Sequence, residues 1–180
     1  MPGSRGVAII GVGNAFRRDD GVGPAVVARL AQHHMAHRPP EDVTLSSSDG
    51  DPARLMALWE GRALAVIVDA VRVDGGRPGR IRRWEPRTCP GRLPVTASTH
   101  GLGVREAVEL SEALDGLPAR TVVWAVEVVD VGPGPGLSPP VAAAVVGVAD
   151  AVDAHVRRFL DAHGSARAAQ PGPSACRLDR

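Results

Sequence analysis

The sequence predicts a single α/β domain: a twisted, mostly parallel sheet of about five strands with helices on both faces. Three observations carry that expectation. The stretch Val7-Ala8-Ile9-Ile10-Gly11-Val12 and residues 63–68 are short, continuous apolar runs, the signature of strands buried on both faces. Between and after them, apolar residues recur at three- and four-residue steps, as on amphipathic helices. Strand and helix signals alternate along the chain rather than segregating.

Taken in order, the first strand ends in the loop 13–23, and Val26, Val27 and Leu30 then fall at helical spacing, with Pro24 suited to a first turn. A weaker strand follows at 43–47. Asp51-Pro52 offers a cap and a first-turn proline to a helix carrying Leu55, Met56 and Trp59, which Gly61 closes. Residues 63–68 are the strongest strand signal, ending at Asp69. Alternating charge at 80–85 predicts a half-exposed edge strand. Ser98 or Thr99 can cap a helix whose apolar face holds Val104, Ala107, Val108, Leu110 and Leu114, and 121–129 reads as a further core strand. Ser138-Pro139 opens a long helix with Val141, Val145, Val148, Val152, Val156 and Leu160 in step. The domain is expected to span 1–163, with 164–180, rich in Ala, Gly, Pro, Ser and Arg without apolar period, a disordered tail.

At 180 residues the chain has room for one domain of about 150 residues plus a tail. Twenty-one basic residues, all of them Arg, balance twenty acidic ones, so the formal charge of +1 gives no footprint for nucleic acid or anionic membrane. Cys89 and Cys176 form no Cys-x-x-Cys pair, which argues against a disulfide framework and for a reducing cytoplasm. No run approaches the roughly 18 apolar residues of a membrane span, and the N-terminus reads as strand and loop rather than signal peptide.

In such a sheet, ligands sit beyond the carboxyl ends of the strands. The loop after the first strand, Asp69 and His100 all belong to that edge. Gly11-Val12-Gly13 is a partial dinucleotide fingerprint, but position 16 is Phe16 where the third glycine belongs, and Asp19 and Asp20 would repel a pyrophosphate. The bland reading of Asp19-Asp20 is helix capping and dipole compensation, and that of Asp69 is a turn residue. His33, His34, His37, His155 and His163 fall on or just after predicted helices, where packing or solvated roles are the default. His100 differs, because it lies in a loop of small residues. Two carboxylates and one imidazole suit a divalent first-row metal such as zinc or nickel with open positions. Their spacing matches no local metal signature, so the residues alone lead to a metal-assisted hydrolase or a metal-binding module.

A resemblance carries the reading further. Gly11-Val12-Gly13-Asn14, Arg18-Asp19-Asp20-Gly21-Val22-Gly23-Pro24, Val66-Ile67-Val68-Asp69-Ala70, Ser98-Thr99-His100-Gly101-Leu102 and Gly136-Leu137-Ser138-Pro139-Pro140 stand in the order found in the hydrogenase maturation endopeptidases. The sequence resembles that family over about residues 6–160. The resemblance implies an enzyme that removes the C-terminal extension of a nickel-iron hydrogenase large-subunit precursor after the metal centre is installed. It implies Asp20, Asp69 and His100 as metal-contacting and catalytic residues, with Glu or Asp accepted at the first. It also implies nickel carried by the substrate rather than a resident ion, and no organic cofactor. Asn14, Asp19, Asp49 and Gly50 are the candidates for contacting substrate; at Ser46-Ser47-Ser48-Asp49-Gly50-Asp51 the chain departs from the glycine- and threonine-containing loop of many relatives. A cytoplasmic monomer acting on the precursor is expected. The rival class is a non-cleaving inspector of the nickel site, chaperone-like, using the same ligands.

Overall fold

The computed structural model describes residues 6–36, 42–88, 97–98 and 103–168. A strand with no exposed residue needs a hydrogen-bonding neighbour on each side, and β1 (Val7–Val12), wholly buried, is such a strand. A 3-10 turn over Arg18–Gly21 leads directly into α1 (Val22–Ala36). Helix therefore begins two residues before Pro24, which is accommodated as the third residue, where its missing N–H leaves no helical bond unmade. β2 (Val43–Ser48) follows, then α2 (Pro52–Trp59), opened by the Asp51 carboxylate accepting from the Arg54 N–H at 2.8 Å. β3 (Leu64–Arg72), β4 (Ile81–Trp84) and the two-residue β5 (Ala97–Ser98) precede α3 (Val104–Ala113). β6 (Arg120–Glu127) and α4 (Pro139–Ala168) complete the order.

The strands lie in the order β2-β1-β3-β6-β4, with β5 attached to β3. β1, β2, β3 and β6 are parallel, while β4 is an antiparallel edge strand and β5 a short antiparallel one. This is the expected sheet, with the charged 80–85 run on its edge. Because side chains alternate across a strand, the sheet separates two cores. Val7, Ile9, Val66, Val68 and Val122 meet α1 and α4 on one face. Ala8, Ile10, Ala65, Ile67 and Val123 meet α2 and α3 on the other.

Two helices differ from expectation. Residue 103, a glycine, precedes α3 without a side-chain cap; Ser98 lies in β5, and Thr99 falls outside the described residues. The buried face of α3 is Val104, Ala107, Val108 and Ser111, so Leu110 and Leu114 are exposed. Ser111 takes the inward position because its hydroxyl receives the indole N–H of buried Trp59 at 3.3 Å. The α4 helix runs through Gly164 to Ala168, five residues into the expected tail. Ala166, Arg167 and Ala168 are good helix formers, and the next proline is Pro171. Residues 169–180 lie outside the described ones.

Candidate functional site

The chain moves from β1 outward to β2 and then to β3 on the opposite side of β1, so the winding reverses between β1 and β3. At such a reversal the connections leave on opposite faces and open a crevice beyond the strand ends. Asp20 lies in the loop leaving β1, and Asp69 is the sixth residue of β3. The crevice therefore has one carboxylate from each side.

Close backbone packing holds the loop in place. Gly13 has a φ of +135°, and a Cβ there would overlap the Asp20 carbonyl; no other residue type brings the two so near. The glycines of the opening motif thus serve packing rather than a phosphate. Asp20 is fully buried, and its Oδ2 accepts from the Asn14 N–H at 2.9 Å. Asn14 fixes the turn in return, its Oδ1 accepting from the Phe16 N–H at 2.9 Å.

Asp69 is 3% exposed, with its Oδ1 accepting from the Ala70 N–H at 2.8 Å. Burial raises its pKa from 3.8 to about 7, against the lowering effect of the Ala70 N–H and with a further push from the charge on Asp20. The two carboxylates sit in one another's field. Glu127 on the neighbouring strand is equally buried and shows the contrast. Burial raises its pKa too, but the Arg77 N–H at 2.6 Å, the Arg82 guanidinium at 2.5 Å and the charge of Arg80 outweigh it and hold the carboxyl below its ordinary value. Glu127 is a saturated structural anion. Asp69 instead keeps a raised pKa, because burial outweighs its one backbone hydrogen bond.

His100 falls outside the described residues. β5 pairs Ser98 with Val71 and Ala97 with Arg72, so the strand at Ser98 is directed back along β3 towards Asp69. Asp19, expected to face substrate or cap the following helix, does neither. It is fully buried, and it accepts from the Ser138 N–H at 2.6 Å, the Ser138 hydroxyl at 3.0 Å and the Asp130 N–H at 3.3 Å. It clamps the loop after β1 to the segment that opens α4. Asp49 is exposed at the carboxyl end of β2, 4.0 Å from Arg54. Gly50 is buried with a φ of +92°, its N–H donating to the Ser48 hydroxyl at 3.3 Å.

Three residues of this region were given no role of their own in the sequence reading. Arg18 adopts a φ of +46° and pairs with Asp130 at 3.3 Å. Phe16 is 77% exposed. Leu137, with Arg18, Ala15, Pro24 and Gly136, borders a cavity of about 360 Å³ beside the loop. An aromatic isolated in a charged loop, Phe16-Arg17-Arg18-Asp19, is the one cue that was available.

Comparison with known proteins places the fold and the family. A family model described as hydrogenase maturation protease matches residues 24–155, a span that includes Asp69 and His100 and starts just after Asp20. The delta subunit of coenzyme F420 hydrogenase from Methanothermobacter thermautotrophicus is 27% identical over 124 residues, 64% of this chain and 73% of that protein. Among solved structures, an endopeptidase from Escherichia coli is similar with a TM-score of 0.74 at 22% identity, covering 86% of this chain and 93% of its own. The hydrogenase maturating endopeptidase HybD from Escherichia coli gives 0.71 at 23% identity, with the same coverage of 86% and 93%.

Proposed function

The chain belongs to the hydrogenase maturation protease family, and from that premise we propose that Asp20, Asp69 and His100 grip nickel borne by a hydrogenase large-subunit precursor and place its scissile peptide beside the ion. The observation that carries the reading is the pair of buried carboxylates at the β1/β3 reversal, one with its pKa lifted to about 7. Two such groups repel each other and their dry surroundings until a divalent cation arrives. Each has one oxygen held by a backbone N–H, from Asn14 and from Ala70 respectively. Those bonds orient the two carboxylates.

The reaction is hydrolysis of a peptide bond: water adds to the carbonyl, the C–N bond breaks, and the leaving amine takes a proton. The nickel of the substrate supplies the polarising charge. The chain's own part is to hold that ion and position the peptide, for which the mostly apolar cavity bordered by Ala15, Pro24, Gly136 and Leu137 offers room. The enzyme works in this reading as a cytoplasmic monomer without an organic cofactor.

Mass spectrometry of the precursor's C-terminus tests the assignment. Nickel-loaded precursor incubated with the protein should shorten, and should stay intact with Asp20→Asn, Asp69→Asn and His100→Ala combined. Shortening by the triple variant would refute the site. A precursor retained by the unsubstituted protein yet never cut would mark a nickel-site inspector instead.

A further inference from the structure

The α1 and α4 helices both start at the crevice and both run back along the same face of the sheet, packed against one another. Towards the far end of α1, His33 and His34 meet Asp153, which lies midway along α4, and one ligand atom from each lies within 4.8 Å of the other two. The His34 Nε2 is 3.5 Å from the Asp153 Oδ1. A tetrahedral zinc ion bound at about 2.0–2.1 Å holds its ligand atoms about 3.4 Å apart, so this pair already has the required separation. The exposed His33 needs only a side-chain rotation to complete it.

We propose that His33, His34 and Asp153 form a second metal site, specific for a zinc-like divalent ion, that staples α1 to α4 far from the proteolytic crevice. Successive residues on a helix normally diverge, yet His33 and His34 each bring a ring nitrogen to within 4.8 Å of the same carboxylate. The two imidazole rings do not stack; their planes are inclined at 54° with centroids 6.3 Å apart. The Asp153 Oδ2 receives the Arg157 Nε–H at 2.7 Å. That bond fixes the carboxylate and turns the Oδ1 towards the histidines, the supporting role that outer partners play in metal sites. The ion would lie in the last turn of α1, where the free carbonyls of the helix end favour positive charge.

Two imidazoles and one carboxylate with a water in the fourth position form a donor set for zinc, and for cobalt as its spectroscopic substitute, rather than for magnesium or calcium. The site lies about 18 Å along α1 from its crevice end, at 1.5 Å per residue. It is independent of the substrate's nickel.

The test is a titration of the chelator-treated full chain with cobalt alone, followed by displacement with zinc alone. One equivalent of cobalt should give the intense visible bands of a tetrahedral complex, in the unsubstituted protein and equally in the Asp20→Asn/Asp69→Asn double variant. His33→Ala, His34→Ala and Asp153→Asn should each weaken binding at least tenfold. His33 is exposed, so His33→Ala keeps the fold and the test does not hinge on the partly buried positions. Loss of the bands in the crevice double variant would overturn the proposal. So would unchanged affinity in His33→Ala, or in Asp153→Asn, which would leave no more than a pair of surface histidines.

Discussion

A carboxyl group with an ordinary pKa of 3.8 and a buried value of about 7 ties stability to pH. The folded chain holds the Asp69 proton more tightly than the unfolded chain does. The stabilisation from that proton is complete below about pH 4 and is lost as pH rises through about 7. A displacement of that size is worth at most about 4 kcal/mol, at 1.36 kcal/mol per tenfold change. Asp69→Asn removes the penalty, so the metal-free variant should be more stable than the unsubstituted chain at pH 8, with the difference shrinking towards pH 5. Urea unfolding at the two values measures it, and a pH-independent difference would contradict the assigned burial. The same substitution should lower processing by more than about 100-fold, since losing even an outer partner of a metal ligand costs about 10–100-fold. Asp69 was legible in the sequence because six apolar residues lead into it, and Asp20 because of the motif around it. The role of Asp19 was not: the groups it binds lie 111 and 119 residues further on, and nothing local distinguishes a clamp from a cap.

Between elements, that clamp is the decisive contact. Asp19 joins the turn that carries Asp20 to the start of α4, through one hydroxyl and two backbone N–H groups. Backbone bonds from Arg18 N–H to the Gly134 carbonyl and from Gly134 N–H to the Phe16 carbonyl, both 2.8 Å, lace the same loops together. Asp19→Ala leaves buried donors without acceptors and is expected to cost about 3 kcal/mol. It should also depress processing, because the neighbouring residue is Asp20. Denaturant midpoints check the first effect, and a cost under about 0.5 kcal/mol would mean water replaces the carboxylate. Gly13→Ala should act on the same element by pushing the Asp20 backbone away, with processing falling at least tenfold while circular dichroism stays unchanged. The helices and long strands were readable from apolar period because each buries a whole face. The two-residue β5 was not, since a strand that short has no period to read. The helical phase of α3 was misjudged because Ser111 turns inward to meet an indole 52 residues away.

At the scale of the molecule, two cores lie on opposite faces of one sheet, and the fold is expected to form on their burial without a metal. Among the described residues, the Asp20 and Asp69 carboxylates that would hold an ion in the crevice arise in elements already fixed by β1, β3 and the Asp19 clamp. α4 illustrates the division of labour. Its stretch Pro139–His163 is apolar and long enough by composition to cross a membrane, yet Val141, Val148, Ala149, Val152, Val156 and Phe159 are spent against the sheet and α1. Protein stripped with a chelator should therefore remain folded, with the same circular dichroism and a single cooperative melt. Added nickel or zinc should act only by mass action: at tenfold excess over its dissociation constant one ion adds about 1.4 kcal/mol, which raises Tm by about 3–6 °C in a chain of this size. Substitution sorts the sources of that rise, since Asp20→Asn/Asp69→Asn deletes the crevice contribution and His34→Ala the distal one. Unfolding of the His34→Ala variant by chelator alone, or a metal ion that only denaturation releases from that variant, would instead make an ion part of the fold and require the crevice to hold its metal before any precursor arrives.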